Sequence, residues 1–461
     1  MPIPLPIAHG LSGRTDLPVP EVVFAYAAAT VLVASFAALA VLWPSPRLQR
    51  PALRPLPAGF GRFLTSGFVD VLGGVIGVGL LVAVVYSGLA GSRTAPNNLA
   101  PALVYIGFWL GLVPLSLLFG DVFRWLNPWR AVGRAVGSVA RRLVSGEAAE
   151  PLRYPERRGY WPAAVGLLAF AWLELVSSRG DDPRYIAFAV IVYSVLTWIA
   201  MALYGVERWC DRGEAFSVYF GLLARMSIWQ RDGRRILRRP PLSGLATWPA
   251  MPGAVALLCV MIGSVSFDGF SASSAWQDLI DGIVDWLTDA GLGPERALEL
   301  VYGVGLVLAV LIVAGFYRLG VEGVRSVTHA RDDAAGLGRT FAHTLVPIAF
   351  AYVAAHYVSL LLLEGQSLGY LASDPLGEGW NLFGTATWTV DFSFIGAEAF
   401  WYLQVGFVVL GHVAGLILAH DRALAMFSDA KAAVRSQYWL LAVMVGFTML
   451  ALWLLSGARE G

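Results

Sequence analysis

Four of the six histidines in this 461-residue chain lie in two neighbouring hydrophobic segments, residues 341–363 and 398–420. A titratable side chain in hydrocarbon is costly, so it usually faces a protein interior or a watery cavity. Imidazole binds zinc, iron and copper, and carboxylates can complete the ligand shell. The sequence therefore offers these histidines and one adjacent carboxylate as candidate ligands of a single divalent or transition metal ion: His343, His356, His412, His420 and Asp421.

Two alternatives to a metal site stay open. A haem on His356 and His412 is one, although the spacing of the four histidines does not let this pair of segments ligate two stacked haems, and haem is less favoured than a metal. The other is that each histidine hydrogen-bonds a neighbouring helix, since no HExxH ligand pattern is present.

The composition indicates which elements must position these side chains. Hydrophobic residues make up 57% of the chain and charged residues 14%. Apolar runs of about 20 residues, the length that crosses ~30 Å of hydrocarbon as a helix, recur throughout. We therefore predict an all-α, polytopic helical protein of the cell membrane whose partner is the lipid bilayer. About ten spans are expected, at 21–43, 66–91, 101–120, 161–178, 185–205, 253–269, 300–319, 341–363, 398–420 and 437–456.

These spans are predicted to form one integral membrane domain over residues 1–461. Its parts are an outer arm (1–20), the first five spans (21–205), a basic cytoplasmic segment (206–252) and the last five spans (253–456), which include the histidine-bearing hairpin 341–420. A net charge of +1 gives no indication of nucleic acid binding.

Arginines orient the spans. The loops 44–65, 121–160 and 206–252 are rich in arginine, whereas the alternating loops carry few. By the positive-inside rule both termini face outward. His343 and His420 then lie near the cytoplasmic face with Asp421, while His356 and His412 lie deeper and either meet near mid-membrane or miss by two turns.

Several connecting segments carry patterns of their own. Residues 268–299 predict an amphipathic helix on the outer surface, and the aromatic-rich segment 365–397 predicts an ordered outer cap. Residues 213–229 predict an interfacial or re-entrant helix. The WLNPWR run at 125–130 is typical of an aromatic and arginine anchor at the membrane interface.

Other buried groups could contribute to function or to packing. Asp70 and Glu174 are candidates for proton-relay or substrate-binding groups, or for pairing with a hydroxyl or a loop arginine. The glycines of the GGVIGVG run at 73–79, together with Gly411 and Gly415, predict close helix approach. The chain contains no GxxxxGK[ST], GxSxG or GxGxxG motif.

Six stretches together resemble a family of bacterial multi-pass membrane proteins labelled fenitrothion hydrolase. They are AHGLSGRTDLPVPE (8–21), GDVFRWLNPWRAVGRA (120–135), GSVSFDGFS (263–271), HYVSLLLLEGQ (356–366), SDPLGEGWNLFGT (373–385) and GHVAGLILAHDRAL (411–424). The resemblance implies hydrolysis of an organophosphorothioate aryl ester at phosphorus. It carries over no catalytic residues, but it draws attention to His9, Asp268, His356, Asp374, His412, His420 and Asp421.

Three functional hypotheses follow. In the first, a metal-dependent hydrolase, the ion lowers the pKa of bound water to about 7, histidines hold the ion, and Asp374 and Asp268 are the candidate catalytic acids, with Asp374 orienting the water. The second is a transporter or channel for a small solute or metal, lined by Asp70, Glu174 and the histidines. The third is a haem- or copper-binding redox subunit. The small-molecule substrate and the oligomeric state stay open.

Overall fold

The computed structural model describes residues 21–143, 150–328, 334–427 and 430–457, and almost all of the regular structure there is helical. Within these ranges eight helices are long and apolar enough to cross a membrane: Ala58–Ala90, Leu99–Phe119, Pro183–Tyr204, Ala254–Ser271, Pro294–Val327, Ala334–Leu362, Ala397–Met426 and Lys431–Trp453. The prediction of an all-α polytopic membrane protein is confirmed.

The α-helices of the described residues run in chain order as α1 (Glu21–Leu42), α2 (Ala58–Leu64), α3 (Gly67–Ala90), α4 (Leu99–Pro101), α5 (Leu112–Phe119), α6 (Phe123–Leu126), α7 (Pro128–Leu143), α8 (Trp161–Leu175), α9 (Pro183–Tyr204), α10 (Val206–Arg212), α11 (Ala215–Ala224), α12 (Ser243–Ala246), α13 (Ala254–Ser271), α14 (Ser274–Asp289), α15 (Pro294–Thr328), α16 (Ala334–Phe341), α17 (Leu345–Leu362), α18 (Ser367–Ser373), α19 (Ala397–Met426), α20 (Ala430–Ser436) and α21 (Tyr438–Gly457). A π-helix, Ala102–Leu110, joins α4 to α5, and the strands are β1 (Arg54–Pro55), β2 (Trp229–Asp232) and β3 (Arg235–Arg238).

Each of the ten predicted spans coincides with a helix. Two of these helices fall outside the eight long apolar ones, namely α1 and α8. With 15 residues, α8 extends only about 22 Å at ~1.5 Å per residue, so it is shorter than the hydrocarbon layer it was predicted to cross.

The centre of the bundle is formed by α13 and α17. In the most apolar stretch of each span, 78% of the residues are buried in α13 and 72% in the span formed by α16 and α17. The corresponding share for the span formed by α2 and α3 is 22%. Large apolar side chains of α3, α9 and α15, such as Val75, Phe188 and Leu311, are exposed on the outside. A bilayer solvates the apolar side chains on this perimeter. Polar groups on α13 and α17 are instead surrounded by protein.

The π-helix is the main irregularity beside this centre. It is nine residues long, and Gly111 N–H donates to the Ile106 carbonyl where the π-helix passes into α5. Wide helical turns of this kind are rare and occur frequently at functional sites. They also rotate the side chains that follow, which brings Tyr105 and Trp109 toward α8 and α17.

The arginine-rich segments fold together at the end of the bundle predicted to be cytoplasmic. The strands form an antiparallel sheet in the order β1-β3-β2, with Arg54 and Trp229 both paired with Arg238. Helix α11 is almost entirely buried, which favours the re-entrant alternative over an interfacial one. Its N-terminus is capped by Glu214, which accepts hydrogen bonds from Phe216 N–H and Ser217 N–H.

The WLNPWR run packs inside the protein, against α3, α9 and α10. Trp129 and Arg130 are buried, Trp129 donates to Ser194 Oγ, and Arg130 pairs with Glu207. The reason is that three glycines of α3 open a groove for this run: a Cβ at Gly73 would lie 2.7 Å from the Trp125 carbonyl oxygen. The predicted packing role is confirmed for Gly73, Gly74 and Gly77, whereas a Cβ at Gly79 would meet nothing within 4 Å.

The outer segments match their predictions more closely. Helix α14 leaves Leu279, Ile283 and Trp286 exposed on one side while Ile280 is buried, as expected for an amphipathic surface helix. The segment after α18 is ordered by polar contacts: Ser373 Oγ accepts from Phe383 N–H and pairs with Thr385 Oγ1. Its aromatic side chains are largely exposed instead of forming the interior of the cap.

Candidate functional site

A hydrogen-bonded group of ionisable side chains lies between α13 and α17. Asp268 Oδ2 is 2.9 Å from His356 Nε2 and also accepts a 2.5 Å hydrogen bond from the Tyr357 hydroxyl. All three side chains are buried, Asp268 with only 2% of its surface exposed. The sequence analysis named Asp268 and His356 separately, and the tertiary structure brings them together.

Asp268 was expected at the start of an outer loop segment, but it lies inside α13. The helix continues past Asp268 to Ser271, and the hydroxyls of Ser266 and Ser271 donate to the carbonyl groups of Ile262 and Asp268 in the same helix. The Asp268 carboxylate therefore stays within the bundle, where it meets α17.

Glu174, in the last turn of α8, adds a second carboxyl group. It is 3% exposed, its Oε1 has no hydrogen-bond partner, and it is close enough to Asp268 for the two charges to interact. Glu174, Asp268 and His356 lie toward the ends of three helices that the arginine distribution predicts to run outward. The site is therefore expected in the outer half of the membrane.

Aromatic side chains of the π-helix and of α11 enclose this group. The Trp109 ring lies 4.9 Å from that of Tyr357 and 5.4 Å from that of Phe170. The Trp109 indole nitrogen and the Tyr219 hydroxyl are buried and face each other beside Glu174. Oε1 of Glu174 has no hydrogen-bond partner, and such a buried atom calls for a partner such as water or a proton.

The charges in this enclosure determine its chemistry. Two buried carboxylates and one imidazole cannot all be ionised favourably, because an uncompensated charge in a low-dielectric interior is expensive. The structure joins a carboxylate to an imidazole at hydrogen-bond distance and places a second buried carboxyl group beside them.

His412 does not join this group. It lies beside Tyr352, with ring centroids 6.3 Å apart, and its Nδ1 bonds to the Val408 carbonyl oxygen at 2.7 Å. Tyr352 is one helical turn from His356 toward the predicted inner side. Because His412 Nε2 is buried without a partner, one ring nitrogen is left for exchange.

His420 and Asp421 instead fasten the segment that follows α1. His420 bonds to Gln437 Oε1 and to the Trp43 carbonyl oxygen, each at 3.1 Å. Asp421 accepts from Trp43 Nε1 at 3.1 Å and from Gln49 Nε2 at 2.9 Å, as well as from two backbone N–H groups. Both nitrogens of His420 and both oxygens of Asp421 are therefore engaged in holding the chain.

His343 is buried near the predicted inner end of the same hairpin. Its ring lies against the backbone of Thr340 and Leu418, and its Nε2 has no hydrogen-bond partner. It shares a level with His420, as the antiparallel arrangement predicted, but the two have different contacts. His9, from the proposed outer arm, lies outside the described residues.

Two predicted acidic residues have partners of their own. Asp374 Oδ1 accepts from Glu378 N–H at 3.0 Å and Oδ2 from Gly379 N–H at 2.7 Å, so its carboxylate closes a turn of the outer segment. Asp70 pairs with Arg231 at 3.1 Å and with Arg134 at 3.9 Å. Of the roles considered for Asp70, the structure thus shows pairing with arginine.

The geometry offers a limited ligand set for a metal ion. In the part of the chain that the structure describes, no group of three or more His, Cys, Asp or Glu side chains is arranged to hold a metal. The four histidines make four different sets of contacts. The metal-site hypothesis therefore remains a prediction without added support.

Sequence reasoning missed Tyr357, Trp109 and Tyr219. Tyr357 adjoins His356 in the sequence, and this adjacency was the one available signal. Trp109 and Tyr219 face the site because of the π-helix and the buried re-entrant helix, and neither arrangement follows from hydrophobic periodicity.

Comparison of the chain with protein-family models, with curated proteins and with solved structures finds no match. The chain is a multi-pass helical membrane protein, and its function has to be inferred from the site itself.

Proposed function

We propose that this protein is a proton-translocating membrane transporter in which Glu174, Asp268 and His356 take up protons and pass them through the bundle. The observation that supports this proposal best is the Asp268–His356 hydrogen bond between two membrane-spanning helices, α13 and α17, beside Glu174 on the shorter helix α8, whose Oε1 has no hydrogen-bond partner. Ionisable side chains enclosed in a membrane bundle are characteristic of ion pathways and proton relays.

Further groups along the α17–α19 hairpin supply an inward route. Tyr352 and His412 follow His356 toward the predicted inner side, and His343 lies beyond them. Gly415 lies against the Thr344 carbonyl oxygen, so His343 is about one helical turn inward of His412, or ~6 Å at ~1.5 Å per residue. His412 keeps an Nε2 without a hydrogen-bond partner, which leaves one ring nitrogen for the proposed proton transfer.

The size of the site favours protons over a larger cargo at this position. A cavity of about 1220 Å³ lies in another part of the molecule and is lined by none of Glu174, Asp268 and His356. The site itself is closed by aromatic rings at contact distance. A proton passes between such groups with side-chain rotation and single water molecules, whereas an organic solute needs a cavity of several hundred Å³.

The test uses the full-length protein in proteoliposomes that contain a pH-sensitive dye, with a pH gradient and a potassium-valinomycin potential. Wild-type protein is expected to move protons, and Asp268→Asn and Glu174→Gln to slow the flux at least about tenfold. His412→Leu should slow it as well. Glu398→Gln is the matched control, since Glu398 is exposed at the end of α19.

Equal flux in the wild-type protein, Asp268→Asn and empty liposomes would overturn the proposal. Size-exclusion profiles and thermal midpoints of the variants separate a lost pathway from a lost fold. If Asp268→Asn does not fold, Glu174→Gln carries the test, because the unpaired Glu174 oxygen holds nothing in place.

A hydrolase is the second candidate, favoured by the same Asp268–His356 pair. A carboxylate bonded to one imidazole nitrogen orients the ring as a general base, and the resemblance to proteins labelled fenitrothion hydrolase implies ester hydrolysis. Incubation with an organophosphorothioate aryl ester should then release the phenol, and His356→Asn should abolish the release. No release by protein that translocates protons would end this candidate.

Metal analysis and an absorption spectrum of the same preparation address the remaining hypotheses. Stoichiometric zinc, iron or copper that is lost in His356→Ala and His412→Ala would support a metal site on these histidines. A Soret band would support the haem alternative. A colourless, metal-free protein that translocates protons would leave both without a role.

A further inference from the structure

A cavity of about 1220 Å³ opens at the arginine-rich end of the bundle. Its walls come from α2, the turn between α5 and α6, α10, α11 and the β2–β3 hairpin. The cavity lies apart from the Asp268 site, and nothing in the proton pathway uses it. Its position at the end predicted to be cytoplasmic puts it at the level of the inner lipid headgroups.

The lining is strongly basic. Six arginines and two aspartates face the cavity: Arg124, Arg130, Arg212, Arg225, Arg231, Arg239, Asp121 and Asp211. Several positive charges held together at the edge of a low-dielectric bundle repel one another. An anion that enters the cavity relieves this repulsion and is therefore bound favourably.

Three of the arginines are already committed to the fold. Arg239 donates to the carbonyl groups of Ser227 and Ala224, Arg130 pairs with Glu207, and Arg231 pairs with Asp70. These contacts fix the walls of the cavity and leave the other three arginines to face a ligand.

The other three are held loosely. Arg124 is 3.6 Å from Glu207 and 4.0 Å from Asp211, and Arg212 contacts the Tyr154 ring at 5.8 Å. Arg225 makes one 3.3 Å hydrogen bond to the Gly244 carbonyl oxygen. Most of their guanidinium N–H groups are therefore left to donate to a bound anion, and guanidinium groups suit the oxygens of phosphate.

The wall of the cavity also carries the carboxyl group of Asp121. Solvent reaches Asp121 through the cavity, but protein atoms surround it, and this desolvation raises the pKa of its carboxyl group. The neighbouring Arg124 and Arg130 act in the opposite direction and do not cancel the effect.

The rim of the cavity is apolar and continues onto the outside of the molecule. Phe60 and Phe119 line the cavity, yet 55% and 59% of their surfaces are exposed. Phe63 and Leu118, next to them on the same helices, are exposed too. These side chains belong to the apolar perimeter that contacts lipid, so the cavity opens toward hydrocarbon as well as toward water.

We propose that this cavity binds the phosphate group of an anionic phospholipid of the predicted inner leaflet. Arg124, Arg212 and Arg225 donate to the phosphate oxygens, and the acyl chains leave past Phe60 and Phe119. The volume exceeds what an inorganic phosphate fills and falls in the range that encloses larger organic ligands. Basic pockets between membrane helices on the cytoplasmic side recognise lipid headgroups by the same chemistry.

The test measures lipid binding to the full-length protein in a neutral detergent, by native mass spectrometry and by the shift in thermal midpoint. Phosphatidylglycerol is expected to bind and phosphatidylcholine to bind far more weakly, because its headgroup has no net charge. The double variant Arg124→Gln/Arg212→Gln should bind phosphatidylglycerol at least about tenfold more weakly, as expected for lost hydrogen bonds to a charged group. Arg142→Gln, an exposed arginine at the end of α7, is the matched control.

A second arm distinguishes a lipid from a soluble phosphate compound. Glycerol 3-phosphate, added in excess, should neither stabilise the protein nor displace phosphatidylglycerol. The proposal fails if both lipids bind equally, if the double variant binds phosphatidylglycerol like the wild-type protein, or if glycerol 3-phosphate alone shows the arginine dependence. If the double variant does not fold, Arg225→Gln takes its place. Proton flux is measured separately, so neither result decides the other.

Discussion

At the scale of single residues, the Asp268 carboxylate connects the hydrogen-bonded side chains of the candidate site. One of its oxygens meets both the His356 ring and the Tyr357 hydroxyl, which come from adjacent positions on α17. Removing the carboxylate leaves two buried polar groups unpaired, each with a desolvation cost of about 1–3 kcal/mol. The same contacts that stabilise the bundle therefore hold Asp268, His356 and Tyr357 at hydrogen-bond distance.

Asp374 provides a residue-scale prediction on pH. Desolvation acts to raise the pKa of its carboxyl group, but the N–H groups of Gly379 and Glu378 outweigh it, and the pKa lies below its usual value. A lowered folded-state pKa means that the stabilisation is present above the unfolded value of about 3.9 and is lost as the pH falls through the folded value. Hydrogen exchange of the Glu378 and Gly379 amides, compared with intrinsic rates, should show protection near neutral pH that is lost below about pH 4.

The variant Asp374→Asn should speed exchange of the same two amides by about three- to tenfold at neutral pH, because hydrogen bonds to an exposed charge are partly screened. Glu378→Gln is the control, since it removes a neighbouring carboxylate and leaves the turn intact. Identical exchange in the wild-type protein and in Asp374→Asn would show that the carboxylate does not close the turn.

At the scale of elements, glycines set the distance between α17 and α19. A Cβ at Gly411 would lie 2.7 Å from the Pro347 carbonyl oxygen and would overlap the Ala351 methyl group. The close approach predicted from Gly411 and Gly415 is therefore confirmed. This close approach places His412 beside Tyr352 and sets the distances between the histidine side chains of α17 and those of α19.

Replacing Gly411 with alanine should consequently disturb the hairpin. Overpacking of a well-packed interface costs about 1–3 kcal/mol, so Gly411→Ala is expected to lower the thermal midpoint by several degrees. Gly406→Ala on the same helix should be neutral or slightly stabilising, because a Cβ there meets nothing within 4 Å and alanine favours helix. Equal midpoints for the two variants in detergent would contradict this account of the packing.

The π-helix acts at the same scale. It inserts Trp109 between Phe170 and Tyr357 and so closes the site on the α8 side. An ordinary α-helix through these residues would rotate Trp109 out of that position, because the π-helix changes the number of residues per turn.

At the scale of the whole molecule, the enclosed centre and the lipid-facing perimeter carry different kinds of side chain. The most buried helices, α13 and α17, carry Asp268, His356 and Tyr357, whereas the peripheral helices present apolar side chains. Polar groups in the centre avoid hydrocarbon, so the bundle encloses its ionisable side chains without exposing them to lipid.

The orientation of this bundle is the prediction that belongs to the whole molecule. If the arginine-rich side faces the cytoplasm, a cysteine introduced at Glu378 should react with a membrane-impermeant maleimide on intact cells, and one introduced at Ser138 only after the membrane is permeabilised. The native cysteines give little background: Cys259 is buried, and burial raises the pKa of the Cys210 thiol to about 12. The reverse labelling pattern would invert the predicted topology and place both termini inside.

Much of the architecture could be predicted because it depends on local properties. Each apolar run, each arginine-rich loop and the amphipathic pattern of α14 can be identified without knowing its neighbours. The candidate site was predictable only as separate residues: Asp268, His356 and Glu174 drew attention, but their association did not follow from their positions. His420 and Asp421, predicted as metal ligands, instead hold a segment that the sequence places far away.

By itself the sequence determined that this chain is a helical membrane protein, where its spans lie and which few ionisable groups they enclose. These properties follow from the cost of placing each residue in hydrocarbon, which accumulates along one segment at a time. Only the tertiary structure decided which of those groups meet. Asp268 and His356 are 88 residues apart and Trp43 and Asp421 are 378 apart, and such pairs depend on how helices pack against one another, which no single segment specifies.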